Sequence, residues 1–224
     1  MMSKMLNERV KSIKPSGIRK FFDIAAQMED VISLGIGEPD FPTPKNISEA
    51  GIASIQQKGT AYTSNTGLIE LRRAISQYFE RSFSLQYNPE DQILVTVGAS
   101  EAVDLALRAV IEPGDEVLVP EPTYVSYAPA AVLAGGVAVP VPTYEKDDFR
   151  LTADVIKEKI TPKTKAIVFC YPNNPTGAVM EEKDLKEIAA VLSQHDILVV
   201  ADEVYAELVY GIEHTSIASL PGMY

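Results

Sequence analysis

Cysteine and histidine are scarce, with one Cys and two His in 224 residues. The lone Cys170 excludes a disulfide framework, and so few ligating side chains exclude a metal cluster of the usual spacing. Basic residues are also in deficit. Lys and Arg number 20 against 31 Asp and Glu, a net charge of −11, so there is no surplus to neutralise nucleic-acid phosphates. No long apolar run occurs either. The start, MMSKMLNERVKSIK, mixes charged with apolar residues and builds no signal-peptide core, so a cytosolic, reducing setting is expected. Residues 122–144 lack Asp, Glu, Lys and Arg, but Pro129, Gly135, Gly136, Pro140 and Pro142 break them up. They read as a buried helix and a strand, not a membrane span. The composition, 46% hydrophobic and 23% charged, is that of an ordinary globular chain rather than a disordered one.

Residues 1–45 are punctuated by Pro15, Gly17, Gly35, Gly37, Pro39, Pro42 and Pro44 and read as an arm. Leu68, Leu71, Ile75, Phe79 and Phe83 then step by three or four, the stripe of an amphipathic helix. Strands and helices alternate after it. Strands are expected at 93–97, 116–120, 137–142, 166–171 and 197–202, with helices near 100–111, 124–134, 152–160 and 181–194. Pro140 and Pro142 favour a sheet edge. The alternation implies one large α/β domain over 46–224, a three-layer α-β-α sandwich around a mostly parallel sheet.

In such sheets ligands bind beyond the carboxyl ends of the strands. Four of those ends carry candidate residues. Gly98, Ala99 and Ser100 bring small residues, backbone N–H groups and a hydroxyl to the start of a helix, an arrangement that suits a phosphate and equally an ordinary cap at Ser100. Tyr124 offers an aromatic face or a core ring. Asn174 is a neutral donor and acceptor in the loop PNNPTG. Asp202 ends an apolar strand and needs a cation or a strong donor, unless it caps the next element, and Tyr205 follows three residues later. Cys170, ending a buried strand, reads as core rather than nucleophile. A dinucleotide fingerprint at Gly35-x-Gly37 fails, because Asp40 stands where the third glycine belongs.

Taken together, LGIGEPDFPTP (34–44), YTSNTGLIELR (62–72), VGASEAVDLALRA (97–109), PEPTYVSY (120–127), YPNNPTG (171–177) and ADEVYAEL (201–208) resemble the class I and II aminotransferases, fold-type I enzymes that use pyridoxal 5'-phosphate. The resemblance implies that Ala99 and Ser100 hold the cofactor phosphate and Tyr124 lies against the pyridine ring. It implies that Asn174 and Tyr205 meet the ring oxygen and Asp202 pairs with the ring nitrogen. It also gives Tyr62 the phosphate of a neighbouring subunit in a homodimer, and Gly37 a place near the substrate carboxylate. Amino acids and 2-oxo acids are the implied substrates.

One departure accompanies the match. In the family the Schiff-base lysine follows the aspartate by some thirty-odd residues, and the substrate-clamping arginine lies farther on, so neither is expected in this chain. The sequence therefore reads as an arm with a small-domain segment (1–45) and an incomplete large domain (46–224), without the last strands or the remainder of the small domain. Alone it is expected to be inactive and poorly soluble. A C–S lyase or related eliminating enzyme of the same fold shares the cofactor residues, and a non-catalytic aminotransferase-like binding domain is the alternative from another class.

Overall fold

Four apolar runs form a parallel sheet. β1 (Glu116–Glu121), β2 (Val137–Pro142), β3 (Thr164–Cys170) and β4 (Leu198–Asp202) lie in the order β2-β1-β3-β4, and every neighbouring pair is parallel. β2, with Pro140 and Pro142, is an edge strand, where a missing N–H costs no ladder bond. In the computed structural model, residues 5–14, 41–57 and 59–224 are described, with Gly17, Ile24, Gln27, Met28, Asp30 and Ile32. The helices among them are α1 (Glu8–Ser12), α2 (Lys45–Gln56), α3 (Ile69–Phe83), α4 (Ala99–Val110), α5 (Tyr127–Ala134), α6 (Ala153–Lys159) and α7 (Glu182–Leu192).

The chain divides into two units, Met1–Ile13 with Thr66–Tyr224, and Lys14–Asn65. In the larger unit Asn7 caps α1, its Oδ1 accepting the Arg9 N–H at 2.8 Å. The Arg9 guanidinium lies over Gly135, which ends α5 at φ 109°, and a Cβ there would come within 3.3 Å of it.

Side chains alternate along each strand, and the helices cover both faces. On one face Val103 and Leu107 of α4, with Tyr127 and Ala131 of α5, pack on Val117, Val119, Ala166 and Val168. On the other, Ile156 of α6 and Leu185, Ile188 and Leu192 of α7 pack on Leu118, Val141, Ile167 and Phe169. Each fully buried Leu, Ile or Val contributes roughly 1.5–3 kcal/mol, so this two-sided core holds the sheet in place. α7 starts with a capping box between Glu181 and Asp184.

Two expectations need correction. Residues 93–97 form no strand: Leu94 and Val97 are 54% and 91% exposed, and the Val95 N–H meets the Thr66 carbonyl at 3.1 Å. A β-prone run without a neighbouring strand among the described residues has no ladder to join. The stripe of α3 is only partly realised, since Leu68 and Leu71 are exposed. The buried residue of that helix is Arg72, which donates to the carbonyls of Gly67, Pro89 and Glu90 and so ties two loops to it.

Candidate functional site

Register and strand parity build the site. β3 and β4 pair Cys170 with Asp202. Val168 and Val200, two residues earlier in each strand, pack on the face of α4 and α5, so Cys170 and Asp202 belong to that face too. Beyond them the sheet ends and a cavity of about 230 Å³ opens. Ala99, Ser100, Tyr124, Asn174, Asp202 and Tyr205 all line it, and so do Val103, Ser126, Tyr127, Ala130, Cys170 and Val204.

Ala99 and Ser100 reach the cavity as the first turn of α4. The cap is Gly98, at φ 82°, and not Ser100, which lies inside the helix. No side chain caps this terminus, and α-helical geometry gives its first N–H groups no intrahelical acceptor. With the positive end of the helix dipole they form an anion-attracting corner, beside the Ser100 hydroxyl. The Glu101 carboxylate turns back to accept the Val97 N–H and fixes the turn entering the helix.

Tyr124 arrives on the loop after β1, and its ring meets that of Tyr127 edge to face at 5.6 Å. After β3 the two asparagines divide the work. Asn173 is buried and builds the turn: its Oδ1 accepts the Thr176 N–H and hydroxyl at 3.1 and 2.8 Å, and its carbonyl accepts the Gly177 N–H at 2.8 Å. Asn174 is left lining the cavity.

Both oxygens of Asp202 have partners. Oδ2 accepts the Tyr127 hydroxyl at 2.7 Å, and Oδ1 accepts the Val204 N–H at 3.1 Å. The second bond is the local turn expected of a capping Asp, and it coexists with a place on the cavity wall. Burial above all, then the bond to Asp202, pushes the Tyr127 phenol far up, so it stays a donor. Burial likewise raises the Cys170 thiol, which is core rather than an exposed nucleophile. Among the described residues no Lys, Arg or His lines the cavity, and Asp202 is the one formal charge on its wall.

Tyr62 belongs to the Lys14–Asn65 unit and is fully exposed, and Gly37 lies outside the described residues. Sequence reasoning missed Tyr127. The available signal was its spacing, three residues past Tyr124 and at the start of a helix, together with the need of a buried phenol for a partner. Among the described residues no cluster of three or more His, Cys, Asp or Glu is arranged to hold a metal, and no helix is long and apolar enough to cross a membrane.

Comparison with known proteins gives the family. The pattern of aminotransferase class I and II matches residues 29–221. A putative aminotransferase of Bacillus subtilis, YugH, is 53% identical over 222 residues, covering 99% of this chain and 58% of that protein. The crystal structure of Pyrococcus protein-A1 superposes with a TM-score of 0.94 at 49% identity, over 96% of this chain and 56% of that one. Aspartate aminotransferase from Thermus thermophilus with maleate gives 0.90 at 39% identity, over 96% and 57%. The chain thus spans little more than half the length of the relatives it matches, and it belongs to the class I and II aminotransferases.

Proposed function

We propose that this chain supplies the cofactor-binding part of a pyridoxal 5'-phosphate-dependent aminotransferase, which moves an amino group between an amino acid and a 2-oxo acid. One observation carries the reading: side chains following four different strand or loop ends line a single cavity, where Asp202 is the one formal charge among the described residues. The donor set fits the cofactor. Free N–H groups of α4 and the Ser100 hydroxyl suit its phosphate, Tyr124 its ring face, and Asn174 and Tyr205 its ring oxygen. Asp202 would hold the proton on its ring nitrogen. When bound, pyridoxal phosphate supplies an electron sink for the α-carbon of the substrate. The names of the relatives, aminotransferases of aspartate and of aromatic amino acids among them, favour transamination over C–S elimination and over a non-catalytic binding domain.

The finer assignments follow the same reading. Gly37 would approach the substrate carboxylate, and the exposed ring of Tyr62 is available to a neighbouring subunit's phosphate in a homodimer. The single buried cysteine suits a reducing, cytosolic setting. Residues 1–45 would serve as the arm and small-domain segment, and 46–224 as part of the large domain. With no lysine among the described residues that line the cavity, the reading is that the 224-residue polypeptide holds the cofactor without turnover.

Titrating the chain with pyridoxal 5'-phosphate and with pyridoxal tests the proposal. The phosphate form should bind more tightly, and Ser100→Ala should narrow the gap. Equal binding of both forms, or none of either, would sink it. After borohydride treatment, peptide mapping by mass spectrometry should find no single lysine carrying stoichiometric cofactor, and a cofactor fixed stoichiometrically on one lysine would refute the claim of no turnover.

A further inference from the structure

The carboxylate of Asp202 is held from two sides, and the two restraints differ in origin. Val204 N–H to Oδ1 is a local turn contact that any Asp here can make. Tyr127 O–H to Oδ2, at 2.7 Å, joins residues 75 positions apart, from the first turn of α5 to the end of β4. The Tyr127 ring is 2% exposed, clamped in the core with Val103, Ala131 and Cys170, so its hydroxyl has little freedom to follow a moving partner. Tyr127 nevertheless lines the cavity.

We propose that Tyr127 is a positioning residue: through its buried hydroxyl it fixes the Asp202 carboxylate on the cavity wall, facing the cationic ring nitrogen of a bound heteroaromatic ligand. This rests on the pyridoxal phosphate reading and adds a residue to it. A carboxylate has about four lone-pair sites, and the bonds to Tyr127 and Val204 occupy two, which leaves acceptor capacity for a third donor. A carboxylate fixed before the ligand arrives loses less side-chain freedom on binding than one that must be ordered then. Tyr124, edge to face with Tyr127, ties the proposed ring platform to the same anchor.

The test compares two ligands on this chain, pyridoxal 5'-phosphate and its analogue with carbon in place of the ring nitrogen, by direct binding titration. The wild-type chain should prefer the nitrogen form. Tyr127→Phe should cut that preference by roughly five- to tenfold while leaving the affinity for the carbon analogue unchanged. A 4-aminophenylalanine placed at position 127 keeps the ring, the length and a weaker N–H donor, and should give an intermediate preference. That second variant decides the matter alone if Tyr127→Phe does not fold. A preference undiminished in every variant that folds overturns the positioning role, as does a parallel loss for both ligands, which marks a merely structural contact. Absence of any nitrogen preference in the wild-type chain overturns the cofactor reading, and the positioning role with it.

Discussion

On the face of the sheet that carries α6 and α7, the strands meet hydrocarbon along their length, from Leu118 and Val141 to Ile167 and Phe169. On the face that carries α4 and α5, the same strands run out into polar atoms at their carboxyl ends, where Cys170 and Asp202 line the cavity. The neighbours Phe169 and Cys170 show how fine the division is. One points into sealed core and the other toward the site, because alternate residues of a strand face opposite ways. A slip of one residue in the pairing of β3 with β4 would exchange the faces and remove Asp202 from the cavity. The apolar face therefore holds the register on which the polar rim depends.

The largest effect should come from opening the core on either side. Ile188→Ala in α7 and Leu107→Ala in α4 each remove a fully buried side chain and should cost about 2–5 kcal/mol in urea unfolding. Their consequences for the cavity should differ. α4 carries Ala99 and Ser100, so Leu107→Ala should also weaken pyridoxal phosphate binding, measured well below the melting temperature. An equal loss of affinity in Ile188→Ala would break the division between the faces.

Asp202→Asn reverses the pattern. The change removes the charge but keeps the shape and an oxygen acceptor for the Val204 N–H or the Tyr127 hydroxyl. Melting should move little, whereas affinity for pyridoxal phosphate should fall about 10- to 100-fold, the worth of one charge-assisted hydrogen bond. Calorimetric titration beside a thermal melt separates the two quantities.

Much of this contrast could be read from the residues. β1, β2, β3 and β4 are apolar runs bounded by Pro, Gly, Asn or Asp, and the sequence places each within two residues of its observed limits. Because consecutive parallel strands share a direction, their ends converge, and this brings Tyr124, Asn174 and Asp202 together from the sequence alone, whereas Ser100 is grouped with them through a strand at 93–97 that does not form. What stayed hidden depends on partners distant in sequence. The run 93–97 has the composition of a strand, but composition does not supply the neighbour that makes a ladder. Arg72 is buried by carbonyls 17 and 18 residues away, a contact that no helical stripe encodes. The hydroxyl of Tyr127 finds Asp202 across 75 residues, whereas locally it is one more aromatic in a charge-free helix.

A smaller effect should come from polar groups on the apolar face. Arg150 Nη1 lies 2.9 Å from Asp184 Oδ2, both side chains being mostly buried, and the same carboxylate oxygen accepts the Glu181 N–H at 3.2 Å. Arg150→Met removes the ion pair and should cost about 1 kcal/mol. Asp184→Ala also removes half of the capping box and should cost about 1–2 kcal/mol. Neither should alter ligand affinity, and a change in affinity would show that this face reaches the cavity after all.

The smallest effect compares two phenol–carboxylate pairs. Tyr127 meets Asp202 in the cavity wall, while Tyr78 meets Glu207 at 2.6 Å on an open surface. Desolvation first, and the bond to Glu207 second, push the Tyr78 phenol up to about 12 from its ordinary 10.0. A raised value means that the folded chain holds the proton after the unfolded chain has begun to lose it. The stability from this group is therefore complete below pH 10 and disappears as the pH climbs through 12. Between those limits the melting temperature of Tyr78→Phe should fall slightly less steeply than that of the wild-type chain. Its affinity for pyridoxal phosphate should stay unchanged, in contrast to Tyr127→Phe, because only the buried pair borders the cavity.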